Sequence, residues 1–128
     1  MDLHDNSQPI KRFFKSFSFA AQGIVYGVRK EANLKFHLFV ALITVASGFF
    51  FSISKIEWLM VLSAVFGMIA LELMNTAVEK TVDLVTKDYH HLAKAAKDTA
   101  AGAVLIYAVY AVIVGIIVFL PKVVERLS

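Results

Sequence analysis

Glu72, Asn75, Glu79 and Asp83 stand in the stretch WLMVLSAVFGMIALELMNTAVEKTVDL, which is otherwise dominated by apolar residues. On a helix that turns about 100° per residue, the four fall within an arc of about 80° and form one stripe. An ionisable group at depth in a bilayer costs about 2.5–3.5 kcal/mol on insertion scales, so it is a functional candidate by default. Carboxylates so placed can accept protons or ligate a hard cation. Each residue also has a structural reading. Glu72 can pair helices, Asn75 can bond across helices for about 1 kcal/mol, and Glu79 and Asp83 can be ordinary interfacial acids. Four polar groups on one face favour a site.

The complementary charges follow in TKDYHHLAKAAKDTAAGAV. Lys94 and Lys97 are three residues apart, with His90 one turn before Lys94, and a lysine ammonium is a point charge suited to phosphate. The pair His90 and His91 raises zinc, but there is no cysteine and no third histidine close by, so hydrogen bonding or an interfacial role is the better reading. The small residues of AAKDTAAGAV allow close helix contact in a membrane. Glu31, in RKEANLKFH, is either a solvated carboxylate among bases or a metal ligand in the same site as Glu79; spacing leaves both open. Neither GxxxxGK[ST] nor a kinase glycine-rich loop is present, so phosphate is not cradled in those common ways.

These residues need elements to hold them. The 128-residue chain is 59% hydrophobic and 18% charged, with a mean hydropathy of +0.70. A single soluble domain of this size has no means of hiding so much apolar surface, and the bilayer is the solvent that accepts it. Absent cysteines exclude disulfides, thiolate metal sites and cysteine nucleophiles. The polar start, MDLHDNSQP, does not look like a cleavable signal.

The apolar positions Ile10, Phe13, Phe14, Phe17, Ala21, Ile24, Val25 and Val28 share one helical face, which predicts a basic amphipathic surface helix over 10–33. Pro9 suits its first turn, with Asn6 or Ser7 as cap. Three transmembrane helices are expected at about 36–54, 58–78 and 99–120. Between Lys35 and Lys55 lie 19 uncharged residues, and between Asp98 and Lys122 lie 23, against about 20 needed to cross the hydrocarbon. Pro121 and Lys122 mark the expected end of the third span.

Ten lysines and arginines (Lys11, Arg12, Lys15, Arg29, Lys30, Lys35, Lys80, Lys87, Lys94 and Lys97) fall on one side, and three (Lys55, Lys122 and Arg126) on the other. The positive-inside rule puts the N-terminus in the cytoplasm and the C-terminus outside. The expected fold is therefore an all-α, multi-pass cell-membrane protein of one domain, 1–128, with its polar stripe descending to the cytoplasmic face.

The patterns ELMNTAVEKTVDL and LAKAAKDTAAGAV resemble the small prokaryotic membrane lipid kinases, the diacylglycerol kinase and undecaprenol kinase family. The signature is Glu-x-x-Asn-Thr-Ala-x-Glu, from Glu72 to Glu79, with Ala-Lys-Asp from Ala96 to Asp98, and the likeness runs from about Arg12 to Pro121. The resemblance implies a homotrimer of three-span protomers, each with an N-terminal surface helix. It implies transfer of the γ-phosphate of ATP to a lipid alcohol at the inner membrane face, with magnesium and with no nucleic-acid partner. Carried over by motif, Glu72 would be the base, and Glu31 and Glu79 the metal ligands that also meet ATP. Arg12, Phe19, Asp88, Tyr89, His90, Lys97 and Asp98 would be ATP-site positions. Asn75 would support phosphates or base, with Asp83 and Lys94 as further site positions. RFFKSF, Asn33, His37 and the terminal FLPK look like the undecaprenol branch. Phe19 stands where the diacylglycerol branch has a tyrosine, and Gln22 where it has a lysine; a phenyl ring can still stack on adenine.

The chemistry is coherent with that resemblance. Magnesium takes oxygen ligands and often only one or two protein carboxylates. Glu72 lies seven residues from Glu79, about 10 Å along a helix. That is too far to share one metal and suitable for a base on the far side of a phosphoryl group. Partial burial favours a base that works near neutrality. Two other classes compete: a small proton-coupled transporter, which also needs an intramembrane acid, and a non-catalytic membrane subunit. Clustering of Glu79, Asp83, Lys94 and Lys97 on one side, with only Tyr107 and Tyr110 polar in the third span, speaks against the transporter.

Overall fold

The computed structural model describes residues 8–128, which form four helices: α1 (Pro9–Lys30), α2 (Ala32–Phe50), α3 (Lys55–Val85) and α4 (His91–Leu127). Three of them, α2 to α4, are long and apolar enough to cross a membrane. The protein is thus an all-helical, multi-pass membrane protein. Asn6 and Ser7, expected as caps, lie outside the described residues. Gln8 occupies the cap position, and Pro9 opens the helix, where a missing N–H costs nothing.

α1 ends at Lys30, earlier than the expected 33, because Glu31 is extended (φ −108°, ψ 115°) and its N–H donates to the Gly27 carbonyl. One extended residue redirects the chain, and Ala32–Lys35 join the next helix instead. At Gly27 the turn packs so closely that a Cβ would meet Leu73 at 2.8 Å and Leu34 at 2.9 Å. This contact brings α1, α2 and α3 together beside Glu31.

α2 stops at Phe50, short of the expected 54. Ser52 takes a positive φ of 49°, a left-handed turn that a helix does not continue through. Ser54 then caps α3: its hydroxyl accepts from the Glu57 N–H at 3.2 Å. Ser54 and Glu57 have the spacing of a capping box.

At 1.5 Å per residue the 31 residues of α3 and the 37 of α4 run about 46 Å and about 55 Å. Both exceed a hydrocarbon core of about 30 Å. The helices therefore carry the polar residues past the apolar zone, and the connection is only Thr86–His90, much shorter than the charge pattern implied. α4 also runs through Pro121, expected as its end, to Leu127. Membrane helices tolerate proline where neighbours compensate. Here Lys122 reaches Glu57 at 3.3 Å and the Arg126 guanidinium lies 4.3 Å over the Phe50 ring, which holds the last turns in place.

α3 is the central element, and α4 packs along it most extensively. Val61, Ala64, Val114 and Val118 form the core with Ile53, flanked by Phe51, Trp58 and Phe119. Midway along, Tyr107 donates its hydroxyl to the Ser63 carbonyl, and its ring occupies the space where a Gly67 side chain would be. Tyr110 and Ser63 share a second hydroxyl contact at 3.0 Å. These bonds satisfy the polar atoms of the third span. α2 leans along α3 and meets α4 at its end, where Arg126 lies over Phe50, which leaves an apolar groove of about 660 Å³ among the three helices, with Phe119 and Phe51 at one end and Phe36 and His37 at the other.

Candidate functional site

α3 holds the stripe, as its period demands. Glu72 is 4% exposed. Its Oε1 lies 3.1 Å from Nε2 of His37, which comes from α2. One turn on, Asn75 donates from Nδ2 to Glu79 Oε1 at 3.2 Å. Asn75 Oδ1 is buried and has no hydrogen-bond partner among the described residues. A buried acceptor left open costs about 1–3 kcal/mol, and native structures keep few of them.

Glu31 meets the helix at the level of Glu79. Its Oε1 lies 3.3 Å from Nζ of Lys80, the sequence neighbour of Glu79. Further along, Asp83 accepts from Lys97 of α4 at 2.7 Å. Lys94 pairs with Asp98 along α4. These residues lie past Val78, where the apolar stretch ends. There the hydrogen bond from Lys97 holds the Asp83 carboxyl below the usual carboxylate range, and the bond to Glu31 raises the Lys80 ammonium. Lys94 and Lys97, expected as charges suited to phosphate, are both paired with acids.

The short connection supplies the remaining polar groups. His90 caps α4, with Nδ1 accepting from the Leu92 N–H at 3.2 Å, and the His91 ring stacks on it at 4.8 Å. Asp88 donates its N–H to the Thr86 hydroxyl at 3.1 Å. Tyr89 is 83% exposed. The structure thus brings Glu72, Asn75, Glu79, Asp83 and Lys97 onto one face of α3 and sets Glu31 against Lys80, about 100° round the helix from Glu79. Arg12 and Phe19 it leaves on the exposed part of α1, outside the pairs of the stripe.

Among the described residues no three histidine, cysteine, aspartate or glutamate side chains gather into a metal cluster. The Glu79 carboxylate and the open Asn75 Oδ1 beside it are oxygen donors of the kind a hard cation such as magnesium takes, whereas the Glu31 carboxylate is engaged by Lys80. Such an ion takes one or two carboxylates and completes its shell from waters and substrate phosphates.

The pattern of the prokaryotic diacylglycerol kinases matches residues 18–119. The chain belongs to that family. It is 48% identical to an undecaprenol kinase of Bacillus subtilis over 122 residues, which cover 95% of this chain and 99% of the relative. It is 45% identical to a diacylglycerol kinase of Synechocystis over 83% of this chain and 61% of that protein. With a diacylglycerol kinase of Haemophilus influenzae the identity is 32%, over 76% and 82%. Membership makes the protein a lipid kinase, with ATP as co-substrate. The matched residues contain all of the stripe, Glu31 and the Asp88–Asp98 segment, whereas Arg12 lies before them.

Two partners escaped the sequence reading. His37 is a lone histidine at the start of an apolar span, and its signal was its position, a polar ring where a lipid-facing side chain is ordinary. Lys80 was counted only as a topological charge. Neither contact has a local spacing to find, because each joins α3 to a residue at least 35 positions away.

Proposed function

We propose that the protein transfers the γ-phosphate of ATP to a membrane lipid alcohol, undecaprenol in first place, at the cytoplasmic face. The observation that carries the chemistry is the sealed Glu72 about two turns, or about 10 Å, along α3 from the Glu79 carboxylate, with Glu31 held nearby against Lys80. A base and a charge-neutralising centre at that separation suit in-line phosphoryl transfer, where positioning and electrostatics supply most of the rate. The choice of polyprenol leans on the likeness to the undecaprenol kinase over almost all of both chains. Diacylglycerol is the second reading, favoured by the relatives that carry that name.

In this reading Glu72 takes the proton of the lipid hydroxyl. Glu79 and Glu31 would hold magnesium, with the open Asn75 Oδ1 beside Glu79; the ion would supply charge neutralisation at the phosphates. Lys97 leaves Asp83 and Lys94 leaves Asp98 to meet the triphosphate, so the ion pairs keep the cations at hand until nucleotide arrives. Arg12, Phe19, Asp88, Tyr89, His90 and Asp98 complete the nucleotide side, which requires α1 to fold over the site from the membrane surface. The protein sits in the cell membrane as a homotrimer, N-terminus inside and C-terminus outside. Many large apolar side chains of α2 and α4 are exposed in the single chain, among them Phe39, Leu42 and Ile106, which supports lipid and sister protomers as their neighbours.

The test is phosphate transfer from ATP by purified protein, with undecaprenol and diacylglycerol compared. Turnover with undecaprenol should exceed that with diacylglycerol. The reverse order moves the assignment to diacylglycerol, and no transfer to either overturns it.

A further inference from the structure

Glu72 has a difficulty as a base. Its side chain is 5% exposed, so a proton accepted there has almost no direct path to water. It must leave before the next turnover. His37 is the side chain that can take it. Its Nε2 lies 3.1 Å from Glu72 Oε1, and its own side chain is 22% exposed. His37 also lines the apolar groove and is the one titratable residue on its wall among the described residues, whereas Glu72 does not reach that wall. The imidazole therefore stands between the sealed carboxylate and the open groove.

We propose that His37 is the positioning and proton-exit residue of Glu72. The inference rests on the reading of Glu72 as base. In the transfer step the bond from the γ-phosphorus to the ADP oxygen breaks and the bond from the lipid oxygen to phosphorus forms. The hydroxyl proton passes to the Glu72 carboxylate, while its O–H electron pair stays on the lipid oxygen. His37 Nε2 then takes the proton from Glu72, and the imidazolium, two residues past Lys35 at the inner end of the span, releases a proton to water at that face. One proton leaves per phosphate transferred, and no further reactant is needed.

The surroundings leave His37 to Glu72 alone. From α3 it faces Glu72. The groove wall of α4 beside it offers Ala108, Ala111 and Val112, none titratable. On α2 its neighbour is the Phe36 ring, edge-on at 5.4 Å, and the Glu31 carboxylate is engaged by Lys80. α1 meets α2 and α3 through Gly27 against Leu34 and Leu73. No second acid or base among the described residues forms an ion pair with His37.

The test uses His37→Gln, which keeps a polar side chain but cannot titrate, and His37→Ala, on full-length protein that elutes like wild type. Turnover with undecaprenol should fall by about 10-fold to 100-fold, the range for a residue that orients a reacting group, with the KM for ATP within about twofold. Added imidazole should restore part of the His37→Ala rate. Wild-type turnover in His37→Gln overturns the inference. So does a purely structural result, in which both KM values rise and imidazole does nothing. Failure of both variants to elute like wild type makes His37 a structural residue and likewise overturns the proposal. Glu72→Gln separates the two readings. Its activity surviving sinks both, whereas its loss beside an indifferent His37→Gln sinks only the relay.

Discussion

The two ends of the α3–α4 hairpin, an inner and an outer end in the proposed topology, carry charges of both signs, and they are built differently. At the outer end Lys122 meets Glu57 at 3.3 Å, Arg126 lies over Phe50, and the Ser54 hydroxyl accepts from the Glu57 N–H. Each of these three contacts closes a helix end or a turn. At the inner end Glu72 is buried, Asn75 Oδ1 has no donor among the described residues, and Lys97 and Lys94 are paired with Asp83 and Asp98. The difference is not polarity but satisfaction. One end spends its charges on holding helices together, and the other keeps binding capacity open at some expense in stability. Incomplete satisfaction at one end of an otherwise consistent fold is the mark of a functional site.

The largest test of that contrast is Glu72→Gln. The amide keeps the shape and loses proton acceptance, so lipid phosphorylation should fall by about 10²–10⁴-fold. ATP affinity should change little, because the nucleotide is expected about two turns away, by Glu79 and Lys97. Rate and affinity are measured together on protein that elutes like wild type. More than about a tenth of the wild-type rate would remove Glu72 as an obligatory base.

Next come Glu79→Gln and Glu31→Gln. Each removes an anionic oxygen, so each should weaken the apparent magnesium affinity as well as turnover, by about 10-fold or more. A magnesium titration of the rate reads both. Unchanged dependence in either variant clears that residue of a ligand role and returns it to the ion pairs of the helix end.

How much of this was legible in the sequence follows from the range of each interaction. The three membrane-crossing helices were, because hydropathy is a local property and the bilayer imposes the length. The stripe was, because one helix's period places Glu72, Asn75, Glu79 and Asp83. The break at Glu31 and the turn at Ser52 were not, since a single residue's φ and ψ are set by packing at Gly27 and at the hairpin. The course of α4 through Pro121 was not, because proline's local preference lost to contacts with α3 and Phe50. The contact between His37 and Glu72 joins residues 35 apart through the tilt of α2, which no local pattern encodes.

The smallest effect is expected at the outer end, and it sharpens the comparison most directly. Lys122 and Glu57 are each 26% exposed at the side chain, so their attraction is screened and offset by the entropy of holding two long side chains. Exposed pairs of this kind couple by about 0.2–1 kcal/mol. Glu57 also stands three residues after the Ser54 cap and near the positive end of the α3 dipole, which adds about 0.3–1 kcal/mol of its own. A double-mutant cycle of Glu57→Gln and Lys122→Met should therefore give a coupling below about 1 kcal/mol in detergent unfolding. Glu57→Gln should be the more destabilising single change, because it loses the dipole contribution as well as the pair. Turnover with lipid and ATP should stay within about twofold for both variants, since neither touches the inner cluster. A large loss of turnover from Lys122→Met would mean that the outer end communicates with the stripe through α4, and the division of labour between the two ends would fail.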